Sequence, residues 1–167
     1  VANYLTNRGK KIILAAAFAS SWRTAALDGS DAPTGAPANL YMALASALPG
    51  TDWRDLVLTS DAGVTLLTSG VNGYTPFALT RNTTVFPSSN SDTTNDQASI
   101  AVNATISWTA SGGSIAALAA LLIDGDQSAT RSILGVIDFG GTQTATSGNP
   151  FTIQNTTLRL TKGFGET

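Results

Sequence analysis

The chain has 167 residues, 43% of them hydrophobic, which is long enough for one domain with a buried core and too apolar for gross disorder. Only 12% are charged and the net charge is −2, so the broad basic surface that displaces counterions from nucleic acid is excluded. Cysteine and histidine are both absent, which removes disulfides, thiolate chemistry, the commonest general base and the commonest zinc ligand.

The missing charge is replaced by Ser, Thr, Asn, Gly and Ala. Such a surface is polar but offers little self-repulsion against close neighbours, which suits a component of an assembly.

Residues 1–19 resemble a signal peptide superficially, but polar residues precede Arg8 and no clear small-residue cleavage site follows. They read instead as a structured N-terminus without its initiator Met. A helix is expected here, capped by Asn3, with Leu5, Gly9, Ile12, Ile13 and Ala16 on one stripe. Arg8, Lys10 and Lys11 point away from that stripe, while Leu14 and Phe18 form a second apolar ridge. A helix lying on one sheet needs a single stripe, so the second ridge calls for a further contact, either a covering loop or a partner.

Residues 28–39 form a loop rich in Gly, Pro, Ser, Asp and Ala. Leu40, Met42 and Leu44 then alternate with Tyr41, Ala43 and Ala45, the period of a strand. Residues 51–73 fit either a short helix or an irregular excursion. Residues 74–81 read as a strand whose Pro76 favours an edge or a strand start, and residues 88–96 as a polar turn region. The clearest alternation follows, with Ile100, Val102, Ala104, Ile106 and Trp108 on one face of a strand.

After Ser111-Gly112-Gly113, residues 115–123 form an Ala- and Leu-rich run with helical propensity. Its short length, its Gly and Asp-Gly-Asp borders and its β neighbours argue for a strand. It is also far below the ~20 residues a membrane helix needs. Further strands are expected at residues 133–139, 151–153 and 158–161. The whole reads as all-β, a sandwich or jelly roll in one domain over residues 1–167, with a helix or arm at 1–20 and the sandwich at 38–167.

Few constellations carry chemistry. Asp124-Gly125-Asp126 offers two hard-oxygen ligands, but Gln127, Ser128 and Ala129 complete no calcium loop, so a plain turn is the stronger reading. Asp28 and Asp31 read as a solvated loop. Asp52 and Asp55 flank Trp53 and Arg54 in a stretch that invites a sugar-binding role, yet Trp22, Trp53 and Trp108 read first as core or interface. Gly70-Val71-Asn72-Gly73 lacks the Lys-Ser/Thr of a phosphate loop. The Asn-X-Thr triplets at Asn82, Asn103 and Asn155 are those a Thr-rich chain produces by chance. A glycan hydrolase would need two carboxylates facing each other at about 5 to 9.5 Å, and no spacing points to such a pair. No cofactor or metal is implied.

Three stretches together carry a resemblance: Asn3-Tyr4-Leu5-Thr6-Asn7-Arg8-Gly9, then Pro37-Ala38-Asn39-Leu40-Tyr41-Met42-Ala43-Leu44, then Gly73-Tyr74 with Leu79-Thr80-Arg81-Asn82. They resemble small virion proteins of tailed bacteriophages, described as tail-fibre-like or head-decoration (cement) proteins. The likeness extends loosely to Ile106-Ser107-Trp108, Ile123-Asp124 and the last strand, while residues 51–70 are longer than the pattern. It implies a short N-terminal helix before a β-sandwich, with no catalytic residues. The implied function is capsid decoration at the virion surface, the partners being the major capsid protein and further copies of the chain as a homo-oligomer. On that reading Tyr4, Leu5, Leu14 and Phe18 are the expected apolar anchors, and Arg8 and Lys11 the polar contacts to an acidic shell. The alternative is a tail or fibre component that binds a host receptor or glycan, with Trp53 or Tyr74 exposed at loop tips.

Overall fold

The computed structural model describes residues 3–5, 38–50, 56–82, 84–86, 90–92, 97–154 and 156–161. They form eleven strands: β1 Asn3–Leu5, β2 Asn39–Ala47, β3 Thr65–Leu66, β4 Phe77–Thr80, β5 Asn90–Asp92, β6 Gln97–Val102, β7 Ile106–Thr109, β8 Ile115–Ile123, β9 Ile133–Ala145, β10 Pro150–Ile153 and β11 Thr156–Thr161. All pairings are antiparallel. A six-stranded sheet runs β1-β9-β8-β2-β3, with β4 also paired to β2; β10-β7 and β11-β6-β5 form two smaller sheets.

The large sheet is apolar on both faces. Alternation sends Met42, Leu44, Ala120 and Leu122 into one buried cluster, which β7 and β10 close with Ile106, Trp108, Phe151 and Ile153. The intervening Ala43, Ala45, Ala119, Leu121 and Ile123 enter a second cluster with Leu56, Ile133 and Val136. Double burial explains why residues 115–123 read as a continuous apolar run: a strand covered on both faces shows no alternation. The expectation of a strand there holds, its helical propensity overridden by packing. Each fully buried Leu or Ile contributes roughly 1.5–3 kcal/mol by leaving water.

The first cluster is built around Trp108. Its ring meets Tyr74 at 5.7 Å, Phe77 at 6.2 Å and Phe151 at 6.2 Å between centroids, and its Nε1–H donates to Thr75 O. Phe139 adds a further ring, 5.7 Å from Phe151. It gets there because β9 arches away from β8. Ala117 pairs Gln143 and Ala119 pairs Asp138, so residues 139–142 face Leu118 alone. Gly140 turns the arch at φ +72°, a left-handed conformation that glycine adopts without a Cβ penalty. Its N–H donates to Asp138 Oδ1 at 2.7 Å.

β3 and β4 share one edge of β2, end to end. β4 pairs residues 39–42 and β3 pairs Ala45 and Ala47. Pro76 immediately precedes β4, the position its missing N–H favours. Between the two short strands the chain leaves the sheet, and the Tyr74 hydroxyl accepts the Leu44 N–H at 2.9 Å in place of a strand partner.

Several sequence expectations are corrected. Asn3, Tyr4 and Leu5 are not helical: they pair with Ile137, Val136 and Gly135 as the strand at the sheet edge. The remainder of the expected helix lies outside the described residues. The run from Ile100 to Trp108 is two strands, because residues 103–105 leave the ladder and the register against β10 and β11 moves by one residue between Ile106↔Ile153 and Val102↔Thr156. At that break the Asn103 N–H donates to Val85 O at 2.8 Å. Asn90–Asp92, expected in a turn region, is a strand on β6.

Candidate functional site

Of the nominated anchors, Tyr4 and Leu5 lie in β1, where their backbone is already paired to β9. Arg8, Lys11, Leu14 and Phe18 lie outside the described residues, as do Trp22, Asp28, Asp31, Asp52, Trp53 and Asp55. Tyr74, nominated as an exposed glycan-binding aromatic, is 1% exposed and belongs to the core.

The acidic turn between β8 and β9 is consumed by its own contacts. Asp124 is buried, and its Oδ1 accepts the Ser132 N–H at 3.1 Å. Asp126 Oδ1 accepts the Ser128 hydroxyl and Arg131 Nη2, the latter at 2.7 Å, and Arg131 Nε donates to the Asp126 carbonyl at 2.6 Å. Hydrogen bonds from Ser128, then the Arg131 guanidinium, hold the Asp126 carboxyl well below its ordinary range, at about 2. Gln127 is the turn's link to the core: its Oε1 accepts the Tyr74 hydroxyl at 3.0 Å, and its Nε2 donates to Leu67 O at 3.1 Å. The turn is also tied to residue 59 through Thr59 N–H to Arg131 O at 2.8 Å and Arg131 N–H to Thr59 Oγ1 at 2.9 Å.

This is a general pattern. Asp61 Oδ2 accepts the N–H groups of Val57 and Leu58, Asp124 that of Ser132, Asp126 that of Ser128 and Asp138 that of Gly140. Each of these carboxylates satisfies a backbone donor in its own turn, which is structural work. Among the described residues no group of three or more acidic side chains is placed to share a metal ion.

At the other end of β8 three loops form a cap. The first spans residues 68–74, the second 110–114 and the third 146–149. Asn72 joins the first two: its carbonyl accepts the Ser111 N–H at 3.0 Å and its Nδ2 donates to Ser114 O at 2.8 Å. Ala110 joins the second and third, donating to Asn149 O at 3.0 Å and accepting from the Gly148 N–H at 2.7 Å. Asn72 holds φ +54°, uncommon for a residue with a side chain and retained because its main-chain carbonyl and its side-chain amide are both held by hydrogen bonds. Gly73, at φ +79°, lies so close to Thr109 O that a Cβ there would collide with it. Tyr74 roots the first loop in the core.

Among the described residues the three loops of the cap carry no charge. Residues 62–80, 97–123 and 139–158 contain no Asp, Glu, Lys or Arg, and all three loops come from these stretches. Its surface is Thr68, Ser69, Ser111, Ser114, Thr146, Ser147 and Asn149, all exposed. Val71, 49% exposed, is the one exposed large hydrophobic side chain among the described residues. Beside it lies a cleft of about 160 Å³ lined by Leu67, Thr68, Val71, Asn72, Ser114, Ile115 and Ala116. In the sequence, residues 70–73 belong to a stretch that fits a short helix or an irregular excursion and lacks the Lys-Ser/Thr of a phosphate loop. The signal available was the three charge-free runs, which single-motif reading passes over.

No family model, curated protein or solved structure matches the chain.

Proposed function

We propose that this chain is a non-catalytic structural protein of a tailed-phage virion, a capsid decoration protein that binds the lattice of the major capsid protein and stabilises the shell. The observation that carries this reading is the use of its charge. Asp61, Asp124, Asp126 and Asp138 are each committed to a backbone N–H of the fold, and the described loops 68–74, 110–114 and 146–149 carry no charged residue. Catalytic carboxylates require perturbed, mutually facing groups in a cleft, whereas a subunit used in many copies requires a stiff body with surfaces that do not repel one another. The short sequence words shared with small phage virion proteins supply the class of assembly.

On this reading the fold is a β-sandwich of the jelly-roll kind. The large sheet forms one layer, and the two smaller sheets, which continue one another along β6–β7 and β10–β11, form the other. The first apolar cluster lies between β7/β10 and the large sheet, which supports this arrangement. The N-terminal segment, entering through β1 at the sheet edge, is the part that reaches the shell, with Arg8 and Lys11 meeting acidic capsid groups.

The test is to mix the purified chain with phage heads that lack it and count bound copies by co-sedimentation. Saturation at a copy number matching the capsomer lattice is expected. No binding overturns the reading, and a few copies confined to one vertex transfers the protein to the tail.

A further inference from the structure

We propose that Asn72-Gly73 is a site of spontaneous deamidation held closed by the fold: Asn72 is modified only when the cap opens, and its modification keeps the cap from closing again.

The chemistry needs nothing but water. Asn72 is the one asparagine of the chain that a glycine follows. In such a pair the glycine nitrogen, unhindered by a side chain, attacks the asparagine Cγ. The N–Cγ bond forms and the Cγ–Nδ2 bond breaks. Nδ2 leaves as ammonia, taking the proton that the glycine nitrogen gives up. Water then opens the five-membered succinimide at either carbonyl, which leaves aspartate or an isoaspartyl linkage.

The cap requires both residues for reasons unrelated to this reaction. Position 72 holds φ +54°, a conformation in which asparagine is several-fold enriched. Its side-chain amide lies against Gly113, where any Cβ would displace it, and donates to Ser114 O at 2.8 Å. Position 73 holds φ +79°, and a Cβ there would collide with Thr109 O, so glycine is the residue that fits. The joint between the first two loops is thus built from the dipeptide most prone to cyclise.

The same geometry blocks ring closure. Closure requires the Gly73 nitrogen and the Asn72 Cβ on the same side of the Cα–C bond that joins them. With φ in the left-handed region the allowed ψ is about +30 to +60°, which sets that nitrogen nearly opposite Cβ. Bringing it round also swings the Asn72 carbonyl away from the Ser111 N–H, which it accepts at 3.0 Å. Bringing Cγ to meet it pulls Nδ2 from Ser114 O. These two bonds tie loop 68–74 to loop 110–114, so the reaction waits on their separation.

Neither product restores the joint. Aspartate at position 72 sets a carboxylate oxygen against Ser114 O, acceptor against acceptor, where the amide had donated. The isoaspartyl linkage routes the chain through Cβ and Cγ and lengthens the loop by an atom. Either one adds a negative charge to a joint made of neutral groups, and loss of ammonia makes the change one-way.

The experiment follows residue 72 by peptide mass mapping while the full chain stands in mildly alkaline buffer, folded or unfolded in urea. In urea Asn72 is expected to be the fastest-reacting asparagine of the chain. In the folded chain it is expected to react about a hundredfold more slowly, because local opening limits it. Tyr74→Phe, which unroots the first loop from Leu44 and Gln127, is expected to speed the folded reaction severalfold. Asn72→Asp, which supplies one product directly, is expected to lower the melting temperature. Equal rates in the folded and unfolded chain overturn the proposal. So does an unreactive Asn72 in urea, a Tyr74→Phe chain that reacts no faster than the parent, or an Asn72→Asp chain as stable as the parent.

Discussion

Tyr74 joins three parts of the molecule through one hydroxyl. It completes the edge of β2 at Leu44, receives Gln127 from the β8–β9 turn, and fixes the first loop of the cap above it. Tyr74→Phe leaves the Leu44 N–H and the Gln127 carbonyl without that partner, and we expect a loss of about 1–3 kcal/mol in denaturant unfolding. Burial pushes the phenol up to about 12 from its ordinary value of 10.0, against the smaller opposing effect of the Leu44 N–H. The sign follows from linkage: between these values the unfolded chain releases a proton that the folded chain retains. Stability is therefore retained below pH 10 and falls as pH rises toward 12, and a pH series comparing the parent with Tyr74→Phe should show a shallower fall in the variant. Gly73→Ala is a second residue-scale test. A positive φ and a Cβ directed at Thr109 O predict a loss of about 2 kcal/mol or more, read as a lowered melting temperature. Neither role was legible in the sequence. Tyr74 opens the strand expected at residues 74–81 but lies outside the one that forms, Phe77–Thr80, and nothing local announces that its hydroxyl replaces a strand partner thirty positions away.

Strands were more legible than their partners. Residues 40–45, 115–123 and 133–139 carry their β character in apolar content and in the Gly-, Asp- and Pro-rich segments between them, and all three lie in strands, the third running on to Ala145. The alternation of residues 40–45 reads as one buried face, whereas the structure buries Ala43 and Ala45 as fully as Met42 and Leu44. Alanine conceals this, because it is equally at home on a weakly polar surface and in a close-packed layer. A direct consequence concerns Leu121, which lies in the second cluster: Leu121→Ala should cost roughly 2–5 kcal/mol in denaturant unfolding. A surface residue would cost far less. The split of the Ile100–Trp108 alternation was hidden for a different reason. Apolar spacing continues unbroken through Ala104, and the departure is fixed by Asn103 meeting residues 84 and 85, a tertiary contact. At the N-terminus the helical stripe began at Leu5, but pairing with β9 claims Asn3–Leu5 for the sheet, an instance of tertiary context outweighing local periodicity.

At the scale of the whole molecule, the described residues hold the two ends of β8 by different means. Asp126 and Arg131 close the turn at one end, while the loops at the other are held by neutral amides, hydroxyls and backbone groups. Composition makes the scarcity of charge plain, whereas which charge-free loops lie together depends on the topology. On the proposed function, the protein is a stiff body used in many copies on the capsid lattice. Small contributions per copy then add over the lattice, so a shell bearing many copies resists rupture more than any single contact implies. The measurement that tests this most directly is the temperature at which phage heads lacking the protein release their contents, recorded before and after saturation with the purified chain. The account predicts a clear rise in rupture temperature that tracks occupancy. An unchanged rupture temperature on fully decorated heads would contradict it.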